Sequence, residues 1–517
     1  MRSLLLFLSA AVTLVFVSCR SDFEFSASKG DLRFSRDTVY LDTVFRNIGS
    51  STYNLKVYNR SDDDISIPTI GFRKGQASKY RMTVDGLVGD NNRSFENVEL
   101  LAHDSLYIFI EVTADVADTN PADFLYTDQI VFDGGSTHEQ TVELVTLIQD
   151  AYFIYPGRND EGLYTGVPIG VDANGEEQLI LGRSLQHDHP ENGDEFIWGA
   201  DKPYVVYGFA SVPDGENLTI QPGARVHFHA ESGLIVQPGG SLNIAGELSP
   251  EGTEDNEVIF EGDRLEPLYS DVPGQWGFVY LRQGSAAQVR HLTSKNGIAA
   301  FVVEPDVPLD ITDSKIFDHS NFGILSRGGT IDGRNLVINN AGQYALALVD
   351  GGNYRFNHCT FNNDWPSSQQ STVLLKNYTE GENAQTFPIE QANFDNCIIY
   401  GSNQVALALD LTDADQPFLF NHCLIRFNSS QLDDLPEYDF TGPHYNTCII
   451  APNSIQSKPD YKDRDNNELV IGQDSAAKEK ADPATSALVP QDIDGKPRPT
   501  PPATASDIGA YQSVVFE

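Results

Sequence analysis

Cysteine is nearly absent from this chain, with five residues in 517. Four of them (Cys359, Cys397, Cys423 and Cys448) occupy one repeated frame, and none lies between residues 31 and 150. That distribution excludes a small disulfide-stapled scaffold and leaves the N-terminal segment without a bridge. Basic residues are scarce too: Lys and Arg number 34 against 74 Asp and Glu, a net charge of −40 and a pI near 4.4. Such a charge opposes binding to nucleic acid and to acidic lipid head groups, and disfavours a polyanionic substrate unless cations intervene. After residue 17 no run is apolar enough to span a bilayer. Sustained 3.6-residue periodicity is missing as well, which leaves an all-β architecture.

The one long apolar run lies at the start. "MRSLLLFLSAAVTLVFVSC" places basic Arg2 before apolar residues from Leu4 to Val17, and small Ser18 directly before Cys19. This is the pattern of a secretory signal and is short for a membrane span. "FVSC" resembles the lipobox of bacterial lipoproteins. The resemblance implies that residues 1–18 are a signal peptide, that Cys19 carries the lipid, and that residues 19–30 are a tether. Several acyl chains at about 0.8 kcal/mol per buried methylene would hold the protein on a membrane. Asp22 and Glu24 resemble the acidic tether of surface-displayed lipoproteins, so the expected location is the outer membrane of a Gram-negative bacterium, surface-exposed.

From 31 to 150 the chain reads as short strands between polar turns. "SLYIFIEV" sets Leu106, Ile108, Ile110 and Val112 on one face, and "YNLKVYN" does the same with Tyr53, Leu55 and Val57. An immunoglobulin-like β-sandwich is expected there. Residues 151–202 are rich in Gly, Asp and Pro and read as a linker. From 203 to 455 short strands recur, each followed by Gly, Pro, Asp or Asn, and "GQYALAL" at 342–348 is echoed by "SNQVALAL" at 402–409. Aligning Ser314, Asn335, Cys359, Cys397, Cys423 and Cys448 gives steps of 21, 24, 38, 26 and 25 residues. Coils of that length fit a parallel β-helix with three strands per turn, the longest step holding an inserted loop.

A metal site, a disulfide ladder or a stack of structural rungs could each produce the cysteine frame. Alternation pairs Cys359 with Phe361, Cys397 with Ile399, Cys423 with Ile425 and Cys448 with Ile450, which turns the thiols inward. His358, Asn396, His422 and Thr447 then point outward, so Cys and His of one frame cannot share an ion. Coils about 4.8 Å apart would permit a disulfide, but a reduced inward stack is the simpler reading. Asn339, Asn340, Asn362, Asn363 and Asn428 suit turn corners and side-chain ladders.

"LTIQPGARVHF", "GLIVQPGGSLNIAGEL", "EVIFEGDR" and "GQWGFVYLRQGS" resemble the opening coils of bacterial right-handed parallel β-helix proteins of the pectate-lyase-like superfamily. "DIDGKPRP" and "ASDIGAYQ" resemble the tail common there, so 456–517 is expected to be a C-terminal capping tail. "FSRDTVYLDTVF" and "SKYRMTVDG" resemble the N-terminal domain of lipoproteins that join a β-sandwich to such a helix. The resemblance implies architecture and no single activity, since its members include surface proteins, polysaccharide lyases and hydrolases.

Motifs resembling polygalacturonase signatures are absent, so no catalytic residue is assigned. "FDHSN" at 317–321 only distantly resembles a lyase motif. His187 with His189, and His227 with His229, are metal-ligating pairs without a third ligand, and no metal site is assigned. Asp460 to Glu468 gathers oxygen ligands of the kind Ca²⁺ takes but lacks the EF-hand glycine and spacing, so no cofactor is required. Trp365, in the inserted region, is the candidate carbohydrate contact. Trp276 reads as a packing residue, and Trp198 as a seal on the first coil. The expected function is a lipid-anchored surface protein whose β-helix binds or scaffolds a polysaccharide or partner without catalysis. The alternative is a lyase or glycoside hydrolase acting in the lateral groove.

Overall fold

The computed structural model describes residues 24–516 apart from 121–123, 134, 173, 249–255, 382–383, 414 and 500–504. Cys19 lies outside the described residues. The chain divides into two compact units, the first ending at Asp150 and the second beginning at Ala151.

The first unit is a β-sandwich. One sheet runs Ser26–Ala27, Ile65–Phe72, Leu125–Phe132, Gln140–Gln149, Thr38–Phe45, with Ser94–Leu100 also paired to Ile65–Phe72. The other runs Arg33–Phe34, Tyr53–Tyr58, Ser105–Val112, Tyr80–Val84. The alternation read from the sequence is the alternation of burial: Leu106, Ile108, Ile110 and Val112 are buried, while Tyr107 and Phe109 are exposed. Leu55 and Val57 join them in one apolar core with residues of the other sheet. The immunoglobulin-like expectation is met at the level of two facing sheets.

The second unit is a parallel β-helix of three ladders. The first ladder stacks eleven strands from Tyr152–Ile154 to Ile449–Ala451. The second stacks ten from Gly166–Val171 to Leu407–Asp410, and the third ten from Ile197–Trp198 to Tyr445–Asn446. Successive strands pair in parallel except the first two of the second ladder, which form an antiparallel hairpin. Parallel stacking puts like residues over like, and the interior fills with aromatic and aliphatic columns. Phe356, Phe394 and Phe420 stack with centroids 5.0 and 4.9 Å apart.

Residues 151–202, expected to be a linker, instead carry the first coil. Tyr152–Ile154, Glu177–Ser184 and Ile197–Trp198 pair with the next strand of each ladder. The Gly-rich composition there reflects a hairpin, Gly166–Val171 with Glu177–Ser184. Val167 of this hairpin packs on Phe209 and Ile235 of the second ladder. Trp198 is fully buried and stacks on Tyr204 at 4.7 Å, as a seal should.

The cysteine frame is the corner between the third and first ladders. His358, Asn396, His422 and Thr447 adopt left-handed φ values of 51, 55, 51 and 55° and turn the chain. The cysteine that follows each then enters the core. The same column begins earlier with His291, Asp313 and Asn335, at φ 42, 50 and 48°. Pairing of Lys315 with Val337 and of Val337 with Thr360 puts Leu336, not Asn335, in the inward column above Cys359. The alignment made from sequence was one residue off at that coil, because it matched Asn335, the left-handed corner residue, in place of the inward Leu336 that follows it.

The described residues of 456–517 do not cap the end of the helix. They run back along the outer face of the first ladder. Ile471, Ala477, Ala481 and Ile508 pack on Ile398, Tyr400 and Leu424, and Leu469, Ile493, Ala510 and Tyr511 pack on Val337. The last coil is instead covered by the turn at Pro436–Tyr438 and by Phe440, which stack on Phe427 and Tyr445.

Candidate functional site

The four corner cysteines are free thiols, three fully buried and Cys448 half-buried. Each donates to a carbonyl of the preceding coil: Cys359 to Gly333 at 3.5 Å, Cys397 to Phe356 at 3.4 Å, Cys423 to Phe394 and Cys448 to Phe420 at 3.2 Å. Burial drives the Cys397 thiol well above its ordinary pKa, so it is a poor nucleophile. These residues are structural.

Their histidine neighbours divide. His422 is half-buried, and among the described residues its ring hydrogen-bonds only its neighbour Asn421, at 2.9 Å. His358, expected on an exposed outer face, is fully buried because the tail covers it. Its Nδ1 lies 3.3 Å from the Gly509 carbonyl, and its Nε2 accepts from Asn396 Nδ2 at 2.9 Å. That pair of partners assigns the proton to Nδ1 and a neutral ring. Burial keeps its pKa well below the usual imidazole value.

Among the clefts on the solenoid, two bear on function. The first, of about 370 Å³, lies between the first ladder's outer face and the tail hairpin Tyr461–Asp463 with Glu468–Ile471. Lys295, Lys315, Lys462, Asp271, Asp318 and Glu468 line it. Lys295 is matched by Glu261 and Lys462 by Glu468, both at 2.8 Å, whereas Lys315 has no ion pair among the described residues. Asp318 accepts from Asn340 at 3.1 Å and Asn467 at 2.8 Å, and burial raises its pKa. Beside it His319 is buried and held neutral, its pKa pushed down to about 3 by desolvation. This grouping was not legible in sequence because Lys462 and Glu468 arrive with the folded-back tail. The only available signal was the position of Lys315, immediately after an inward corner residue.

The second cleft, of about 630 Å³, is open and is built from three stacked segments that each follow a first-ladder strand, at 364–370, 402–406 and 427–431. Nine of its ten lining residues are Ser, Asn or Gln, and the tenth is Val405. Asn403 Nδ2 donates to the Gln370 carbonyl at 2.5 Å and Gln370 Nε2 to Ser402 Oγ at 3.1 Å, which ties adjacent turns together. The side chains of Gln404, Asn428, Ser430 and Gln431 make no hydrogen bond among the described residues, and these four are exposed. An uncharged wall of hydroxyl and amide groups can donate to and accept from a polyhydroxylated ligand. Trp365 is half-buried in the first of these turns, whose Ser367 and Ser368 line the cleft; Trp365 itself does not.

The remaining sequence candidates are held by local partners. His187 bridges Asp194 and Glu216, both at 3.1 Å. His227 is buried, 3.3 Å from the Gly262 carbonyl. His229 is exposed, bonds Asp263 at 2.7 Å and stacks on Tyr207. In the oxygen-rich stretch Asp460 pairs with Lys458 and Glu468 with Lys462, both at 2.8 Å. Trp276 is fully buried against Phe228 at 4.5 Å, a packing residue as expected. Among the described residues no group of three or more His, Cys, Asp or Glu side chains is placed to hold a metal ion.

No protein-family model and no curated protein matches the chain. Among solved structures it is similar over 26% of its length to the ASH/PapD-like domain 7 of human CEP192, at 11% identity, 96% coverage of that chain and a TM-score of 0.15. It is similar over 31% to the E. coli chaperone DraB, at 12% identity, 84% coverage and a TM-score of 0.16. Over 73% it is similar to the catalytic domain of a GH87 alpha-1,3-glucanase in complex with nigerose, at 9% identity, 82% coverage and a TM-score of 0.17. Likenesses at these scores carry no argument about activity, and the architecture rests on the strand pairing itself: a β-sandwich followed by a parallel β-helix.

Proposed function

We propose that this protein is a lipid-anchored surface protein whose β-helix binds a neutral polysaccharide, without catalysis, in the cleft formed by turns 364–370, 402–406 and 427–431. The observation that carries the reading is the lining: nine Ser, Asn and Gln residues and no charge, in a chain of net charge −40. Four of these side chains are exposed and uncommitted among the described residues, so they can bond a ligand without breaking an internal contact. Membrane attachment is taken from the Cys19 signal. Screening the protein on a glycan array, followed by titration of a Gln404→Ala/Gln431→Ala variant, tests the reading. Binding of a neutral glycan that the double variant weakens about tenfold or more supports it. Binding that ignores the variant contradicts it.

A second reading is favoured by the charged cleft, where Lys315 has no counter-ion among the described residues and the buried Asp318 carboxyl stands nearby. A lysine and a buried carboxyl in one groove are residue types that polysaccharide lyases and hydrolases use. Release of reducing ends or unsaturated uronates from a polysaccharide panel, abolished by Lys315→Ala, would establish that reading and displace the first.

A further inference from the structure

The outer face of the four-stranded sheet in the first unit has a composition unlike the rest of this acidic chain. Antiparallel register puts Arg33 opposite Tyr58, Lys56 opposite Tyr107, and Asn54 opposite Phe109, so all six side chains share the face away from the core. Tyr107 and Phe109 are 42% and 43% exposed, the sort of area that core-facing rings never show. Their rings lie nearly parallel, 16° apart, with centroids separated by 6.1 Å. Lys56 Nζ sits between two rings, 5.0 Å from Tyr107 and 5.4 Å from Tyr58. Arg60 lies over Tyr58 at 4.6 Å. Arg33, Lys56 and Arg60 make no ion pair with a carboxylate among the described residues. The neighbouring cation Arg81 is matched by Glu111 at 3.4 Å. Three unmatched cations on one face are notable where acidic residues outnumber basic ones 74 to 34.

We propose that this face is a second binding surface, independent of the solenoid cleft, and that its ligand is an acidic polysaccharide. Flat exposed rings offer stacking area for pyranose faces, and the cations between them offer charge-assisted hydrogen bonds to carboxylates or sulfates. Asn54 and Thr83, which both pair with Phe109, supply neutral donors on the same face. The net charge of −40 decides between ligands of the same sign. Screening confines a charge to about 8 Å at physiological ionic strength. A single polyanion lying along the strip therefore meets mainly the local cations, whereas an anionic bilayer meets much more of the acidic surface.

The test uses the full chain carrying Cys19→Ala, so that no lipid contributes and the outcome does not depend on the anchor. Native electrophoresis through gels containing polygalacturonate is compared with gels containing dextran. Polygalacturonate should retard the protein and dextran should not, and added salt should weaken the effect. The surface variants Tyr107→Ser/Phe109→Ser and Lys56→Gln/Arg60→Gln should each lower the association constant about tenfold or more. Gln404→Ala/Gln431→Ala should leave it unchanged, which separates this site from the solenoid cleft. No retardation by polygalacturonate would overturn the proposal. So would retardation that survives both surface variants or is lost in the cleft variant, and so would co-sedimentation with phosphatidylcholine–phosphatidylglycerol vesicles that requires the same residues.

Discussion

Replacing His358 by alanine should destabilise the solenoid far more than replacing His422, although both occupy the same corner. Both have φ of 51° and both precede an inward cysteine, so backbone strain and local sequence cancel in the comparison. The difference is the tail. Around His358 the substitution takes one of two donors from the Gly509 carbonyl, which keeps Arg498 Nη2 at 3.2 Å, leaves the Asn396 amide short of a partner, and costs Ser486 Oγ, 3.1 Å from Nε2, a neighbour. A buried group left unsatisfied costs about 1–3 kcal/mol. Asn396 keeps a bond to the Asp482 carbonyl at 3.1 Å, which reduces its share. With a small cavity term added, His358→Ala should cost about 2–4 kcal/mol. His422 is half-buried and its ring hydrogen-bonds only Asn421 among the described residues, so its loss should cost under about 1 kcal/mol. Thermal unfolding gives the order of the two variants, and limited proteolysis shows whether residues 480–516 are released first in His358→Ala. Equal losses in both variants, or a tail as protected as in the parent, would refute the argument that the tail is what buries this ring.

Three further outcomes follow from the same geometry. Burial holds His227, His319 and His358 below the ordinary imidazole pKa, His319 at about 3. The unfolded chain takes up these protons below about pH 6.5 while the folded one does not, so stability falls with pH by up to about 1.4 kcal/mol per unit per ring. Asp318, Asp364, Asp395 and Asp492 have raised pKa values and act in the opposite sense at lower pH, so melting temperature should drop most clearly between about pH 6.5 and 5. A flat profile there would contradict the buried neutral rings. Cys397→Ala removes a buried thiol and its bond to the Phe356 carbonyl and should cost about 1–2 kcal/mol, whereas Cys397→Asp should cost several. Thiol titration after unfolding without reductant should recover all four solenoid cysteines. Cys19→Ala should leave the protein soluble or uncleaved on cell fractionation; unchanged membrane association would dispose of the lipid anchor.

The parts of the fold legible in the sequence are those where local chemistry repeats with the coil. A left-handed Asn or His, an inward Cys and an apolar residue two further on recur because parallel stacking demands the same shape at each rung. Where the repeat loosens, the reading failed for physical reasons. Residues 151–202 looked like a linker because the first coil spends its length on a hairpin that packs against the second ladder. The tail gave no period at all. Its position is set by side chains far away in sequence, such as Arg498, whose Nη2 donates to Asn335 Oδ1 at 2.7 Å. Consequently the burial of His358 and the assembly of Lys315 with Lys462 were invisible. The polar cleft escaped notice for a different reason. Ser, Asn and Gln in turns are ordinary corner residues, and only stacking three turns makes them a wall. Trp365 drew attention as the tryptophan with a loop position, yet it does not line the cleft.

The central claim, a glycan-binding solenoid without catalysis, is tested most directly by incubating the purified protein with a panel of neutral and acidic polysaccharides and measuring binding and product release on the same samples. The account predicts saturable binding of a neutral polysaccharide, weakened about tenfold or more by Gln404→Ala/Gln431→Ala, with no new reducing ends and no unsaturated uronates. Release of either product, lost in Lys315→Ala and kept in the cleft variant, would place the function in the charged cleft and contradict the account.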